Sequence, residues 1–173
     1  MLIRREMPGD QAVIRVVTAA AFARPQTPEQ VPPEAGLVDE LRAGPAWLPA
    51  LSLVATDPDG TVVGHVLATR GHVATAPVLG LGPLSVHPDR QRRGVGSALM
   101  HAVLGAADAL DEPLVALLGD PRYYRRFGFG PCMDHGVEPP VPQWRPHFQV
   151  RPLTAYDPAL RGTFSYAEPF DHL

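Results

Sequence analysis

The chain has almost no cysteine. Cys132 is the single one, so no intramolecular disulfide can form. Nothing adjacent to it in sequence would lower its pKa, which argues against a nucleophilic thiol. The chain also lacks an excess of either charge: 15 basic against 18 acidic residues leave a formal net charge of −3. That balance gives no long-range pull toward nucleic acid. No apolar run approaches the ~20 residues that cross a bilayer. The start, Met1-Leu2-Ile3-Arg4-Arg5-Glu6, is charged too early for the apolar core of a secretory signal. Seven histidines are scattered with neither H-x-x-x-H spacing nor a cysteine partner, so no metal site is expected. The expectation from these absences is a cytoplasmic protein whose work involves no nucleic acid, no membrane and no metal.

What is present reads as one globular domain of 173 residues, 45% of them hydrophobic, enough for a single core. Leu2–Arg5 predicts a strand, and Pro8-Gly9-Asp10 opens a helix with Val13, Val16, Val17 and Ala20 on one face. A proline-rich loop runs from Arg24 to Pro33, followed by a short helix over Glu34–Arg42. Leu51–Thr56 and Thr61–Arg70 predict a hairpin around Asp57-Pro58-Asp59-Gly60, and Pro77–Val86 a further strand. A long amphipathic helix follows from Val95 to Leu110. Leu114–Leu118 is a continuous apolar run, as expected of a strand covered on both faces. Asp120 caps the next short helix, with Pro121 at its first position. From Pro131 to Pro158 proline is dense. Trp144 and Phe148 are expected anchors there, and Gln149–Leu153 and Thr163–Tyr166 final strands.

One segment carries more chemistry than the rest. After the strand ending at Val86 come His87-Pro88-Asp89-Arg90-Gln91-Arg92-Arg93-Gly94-Val95-Gly96-Ser97 and then a helix. A helix N-terminus offers unpaired N–H groups and about half a positive charge, and glycines there let an anion approach the backbone. A P-loop is excluded by the missing Gly-Lys-Ser/Thr. A dinucleotide loop is disfavoured because Leu99 stands where the third glycine belongs and seven residues separate Val86 from Gly94.

The remaining pattern, Gln/Arg-x-x-Gly-x-Gly/Ala, is matched by Gln91-Arg92-Arg93-Gly94-Val95-Gly96. With Tyr123-Tyr124-Arg125-Arg126-Phe127-Gly128-Phe129 a strand and a helix downstream, the chain resembles the GNAT superfamily of N-acyltransferases. Gly119-Asp120-Pro121 and Gly162-Thr163-Phe164-Ser165-Tyr166 resemble its YhbS-like bacterial branch. The resemblance implies an α/β (α+β) fold: a mixed, mostly antiparallel central sheet flanked by helices, with the proline-rich C-terminal segment packing back on it. Residues 1–130 would be the catalytic core and 131–173 an extension completing the same domain.

It further implies acetyl-CoA as cosubstrate and direct transfer of the acetyl group to a primary amine, on a small molecule or a peptide. Leu84, Ser85 and Val86 would pair with the pantetheine amides like an added strand. Arg93, Gly94, Val95, Gly96 and Ser97 would hold the diphosphate through backbone N–H groups, with Gln91 and Arg92 flanking it. Arg90, Arg125 or Arg126 would reach the ribose phosphate. Tyr124 aligns with the tyrosine that meets the leaving sulfur, as general acid or thiolate stabiliser, while Tyr123 should point elsewhere. Val78-Leu79-Gly80-Leu81-Gly82 carries no carboxylate where many members supply a glutamate base. The candidate bases are therefore His65, His72 and His87, or water. Glu34, Asp39 and Glu40 are expected as the solvated side of their helix or as a lure for a cationic amine. Dimers are common in the resembling family, which leaves a homodimer open. The competing reading is a non-catalytic acyl-CoA-binding sensor or interaction module.

Overall fold

A computed structural model describes residues 1–25 and 30–172. Residues 26–29 of the expected proline-rich loop lie outside the described part. Strand β1 (Leu2–Arg5) leads through a turn at Pro8–Asp10 into helix α1 (Gln11–Phe22). The Asp10 carboxylate ties the two together: it accepts the Met7 N–H at 2.8 Å and N–H groups of Arg4 Nη1 and Nη2 at 2.6 and 2.9 Å. Helix α1 buries Ile14, Val17 and Thr18, an i, i+3, i+4 stripe. Val16, expected on that face, is instead 63% exposed.

Helix α2 (Pro33–Ala43) packs on α1 and buries Leu37, Val38 and Leu41. Then come β2 (Ser52–Thr56), β3 (Val62–Val73) and β4 (Ala76–Val86) as an antiparallel meander. The β2–β3 turn closes through Gly60 at φ +89°, a conformation nearly free of cost only for glycine.

Helix α3 (Val95–Ala109) lies against β2 and β3 and returns the chain to β5 (Leu114–Leu118), parallel to β4. Helix α4 (Pro121–Tyr124) follows, capped by Asp120, whose carboxylate accepts the Arg122 N–H at 2.9 Å. The turn after it ends on Gly128 at φ +83°.

Short strands β6 (Gly130–Pro131) and β7 (Val137–Glu138) precede β8 (Phe148–Pro152) and β9 (Gly162–Ser165). The main sheet runs β1-β2-β3-β4-β5-β8-β6, and β9 bridges β7 to the end of β3. The residues after Pro131 thus enter the sheet directly. Phe148 and Phe164 are fully buried beneath it, while Trp144 is only partly covered.

One irregularity positions everything that follows. Strands β4 and β5 pair only at Leu79↔Val115 and Gly80↔Ala116. Beyond Leu81 they diverge, so the sheet splits there and leaves the rest of β4 with an open edge.

Candidate active site

The alternation of an antiparallel ladder decides which backbone groups face the split. The His87 N–H donates to Val63 O at 2.9 Å, and Ser85 stands two residues earlier, opposite His65. Ser85 therefore directs its backbone to β3, whereas Leu84 and Val86 direct theirs to the open edge. The Ser85 side chain is fully buried on the opposite face and donates to Thr18 Oγ1 at 3.1 Å. Of the three residues expected to pair with a pantetheine, Ser85 is corrected: it is turned away. The Val86 carbonyl already accepts the Gln91 side chain at 3.1 Å, so Gln91 seals the strand end as well as bordering the loop.

Beyond β4 the chain turns twice through the left-handed region, at Arg92 (φ +59°) and Gly94 (φ +84°). Non-glycine residues rarely adopt this geometry, and it clusters at functional sites. Helix α3 begins immediately after. Its first intrahelical bond to Gly94 O comes from Ala98 N, which leaves the N–H groups of Val95, Gly96 and Ser97 unpaired within the helix. A Cβ at position 96 would lie 2.9 Å from the Tyr123 hydroxyl, so only glycine lets the two approach. A cavity of about 650 Å³ sits over this loop, lined in part by Leu84, Val86, Arg92, Gly94, Ser97 and Arg126.

Tyr123 also lines that cavity, with the Arg126 guanidinium stacked 4.8 Å above its ring. Arg126 is thus the loop-facing member of the three arginines expected near a ribose phosphate. Arg90 is held by Asp57 at 2.8 Å, while Arg93 and Arg125 are exposed and outside the cavity lining.

Phe22 and Leu84 also belong to a second cavity of about 480 Å³, so the two spaces meet at these side chains. Tyr124 lines this one. Its ring packs so tightly over Gly119 that no side chain fits there. Burial, with the neighbouring Tyr123, pushes its phenol up to about 12. Leu118 is 42% exposed, because the β5 run ends inside this space rather than beneath a covering layer.

An acetyltransferase (GNAT) domain model matches residues 11–132. The N-acetyltransferase YhbS of Escherichia coli is 32% identical over 99% of this chain and 98% of its own. The N-acetyltransferase YjhQ of Escherichia coli is 34% identical, over 92% and 88%. This chain belongs to the GNAT acetyltransferase family. Among solved structures of GNAT proteins, Escherichia coli YhbS in complex with CoA superposes with a TM-score of 0.87 and 30% identity. That match covers 98% of this chain and 91% of the other. A Brucella melitensis GNAT acetyltransferase in complex with acetyl-CoA gives 0.77 and 35%, over 98% and 97%.

In this GNAT acetyltransferase none of the three candidate histidines reaches the cavity that holds Tyr124. His65 is fully buried with its Nε2 2.9 Å from Ser52 Oγ. The Ser52 hydroxyl donates to Glu6 Oε2, which assigns Nε2–H as the donor to Ser52. Nδ1 has no partner among the described residues, and burial pushes the imidazole pKa down. His65 is a structural histidine. His72 is exposed opposite Pro77, near the far end of the hairpin, about 20 Å along the strand from Leu84. His87 caps the turn after β4, its Nδ1 accepting the Asp89 N–H at 3.3 Å.

Among the described residues, the carboxylates that do line the cavity are Glu34 and Asp171. Glu34 sits in the first turn of α2, where sequence reads it as solvated or as a lure for a cationic amine; the packing of α2 against the C-terminal segment, across the cavity from β4, favours the second. Tyr166, Phe170 and Trp144 complete the aromatic walls, and no periodicity in the proline-rich segment announces them.

Proposed function

We propose that this protein moves an acetyl group from acetyl-CoA to a primary amine, by direct attack while both substrates are bound. The observation that carries this is the junction of the two cavities at Phe22 and Leu84. One leads from the glycine loop along the open edge of β4; the other holds Tyr124 and two carboxylates.

The chain's own groups fit the donor. The unpaired N–H groups of Val95, Gly96 and Ser97, with Gly94 presenting no side chain, suit a diphosphate. Arg92 and Arg126 add charge at the same cavity. Leu84 and Val86 offer the amide partners for a pantetheine arm. Acetyl-CoA supplies the thioester. Tyr124 holds a hydrogen-bond donor at the place where the sulfur gains charge. The narrow aromatic cavity aligns the amine with the acyl carbon, which by itself supplies much of the acceleration.

Titration calorimetry with acetyl-CoA, followed by thiol release with a panel of primary amines, tests the reading. Binding with amine-dependent release is expected. Gly94→Val should weaken binding by about tenfold or more, since it both strains a left-handed turn and fills the cradle. Tight binding with no turnover on any amine would make the protein an acyl-CoA sensor. No binding by the folded protein would overturn the assignment altogether.

A further inference from the structure

We infer that Glu34 is the ammonium anchor of the acceptor site, and that the acceptor is a primary amine carrying an aromatic or branched apolar body. This rests on the acyltransferase reading above and deepens it.

Three observations support it. First, Glu34 Oε2 is buried and has no hydrogen-bond partner among the described residues. Its other oxygen, Oε1, lies 3.7 Å from Arg24, whose side chain is 64% exposed. A buried carboxylate oxygen with no donor is costly, and a ligand N–H relieves that cost. Second, the described lining of this cavity contains two acidic side chains, Glu34 and Asp171, and no basic one. An acceptor bearing its own carboxylate would meet like charge there, whereas an ammonium meets attraction strengthened by the low local dielectric. Third, the remaining walls are apolar and largely aromatic: Phe22, Leu37, Trp144, Tyr166 and Phe170. Such faces bury an apolar body and favour a cation beside them. Beyond Glu34 and the exposed Asp171 they offer no partner to a polyamine, whose third ammonium group would be stripped of water against hydrocarbon.

Binding at equilibrium tests this without reference to turnover. 2-Phenylethylamine, 2-phenylethanol and spermidine would be titrated into the protein with and without coenzyme A. The same titrations would be run on Glu34→Gln, a near-isosteric change. The wild-type protein should bind the aromatic amine about tenfold or more tightly than the alcohol, and Glu34→Gln should erase that difference while keeping its melting temperature and its coenzyme A affinity. Equal affinity for amine and alcohol, an amine affinity unaffected by Glu34→Gln, tighter binding of spermidine, or no binding of the amine would each overturn the anchor. Failure of coenzyme A to bind would instead strike the underlying acyltransferase reading. The wild-type comparison of amine with alcohol decides the matter even if the variant folds poorly.

Discussion

The Tyr166 ring occupies the space that a side chain on Gly80 would need: a Cβ at position 80 would lie 2.7 Å from Tyr166 Cδ1. This contact leaves no room for a side chain at position 80 in the middle of β4. The C-terminal segment places an aromatic ring there instead. Phe164, Phe148 and Phe170 hold the ring there, with centroids 4.7, 6.2 and 4.5 Å away. Gly80→Ala should therefore destabilise the fold by about 1–3 kcal/mol through overpacking. In a Tyr166→Ala background the same change should cost about 1 kcal/mol less or better, because only Phe164 Cζ, at 3.3 Å, still crowds the new methyl group. Urea unfolding of the two single variants and the double variant measures the coupling. Additive costs would show that the ring and the glycine do not determine each other.

The order of strands and helices up to Leu118 was legible because each element carries its own signal. The Asp57–Gly60 turn, the unbroken apolar run of β5 and the Asp120 cap with Pro121 behind it all act within a few residues. The glycine loop was legible for the same reason. What could not be read is anything fixed by the direction of a side chain across the sheet. Ser85 looked like a site residue, yet ladder parity turns it toward β3 and Thr18. His65 looked like a base, yet the same alternation points it at Ser52 and Glu6. Glu34, Asp39 and Glu40 look alike in sequence, as solvated residues or amine lures, and only the packing of Tyr166 and Phe170 from about 130 residues away singles out Glu34.

Tyr124 should matter to turnover and not to affinity. Its phenol is pushed up to about 12 by burial, whereas an alkyl thiol titrates near ~8.5. Handing its proton fully to the departing sulfur would be uphill by roughly 5 kcal/mol. The role we propose for it is then a hydrogen bond to the developing thiolate. Tyr124→Phe is expected to lower kcat about a hundredfold, the usual effect of removing one preorganised donor, with coenzyme A affinity unchanged. Because the pKa is raised, the phenol keeps its proton through neutral and mildly alkaline solution. The kcat profile should show no alkaline fall from this group below about pH 11. An unaltered kcat in Tyr124→Phe would remove the residue from the mechanism.

The buried Glu6–Ser52–His65 cluster makes stability fall on acidification in two stages. His65 donates through Nε2 to Ser52, leaving Nδ1 with no described partner. Protonating it would place a second N–H where no acceptor stands, and burial accordingly lowers its pKa. The unfolded chain binds that proton near ~6.5 and the folded chain does not, so stability declines as pH drops below this value. Glu6 acts at lower pH. Burial pushes its carboxyl up, but hydrogen bonds from Arg42 and Ser52, with the His65 imidazole 3.6 Å away, outweigh this and hold it at about 2. Its contribution is complete above the unfolded value of ~4.5 and is lost as pH falls from there. Urea midpoints measured from pH 8 to pH 3 should drop first through the histidine range and more steeply below pH 5. In His65→Gln, where an amide donates to Ser52 and cannot titrate, the first stage should vanish and the second remain. A midpoint that stays level from pH 7 to pH 5.5 in the wild-type protein would mean that the unfolded and folded states bind equal numbers of protons there, and the buried neutral imidazole would have to be abandoned.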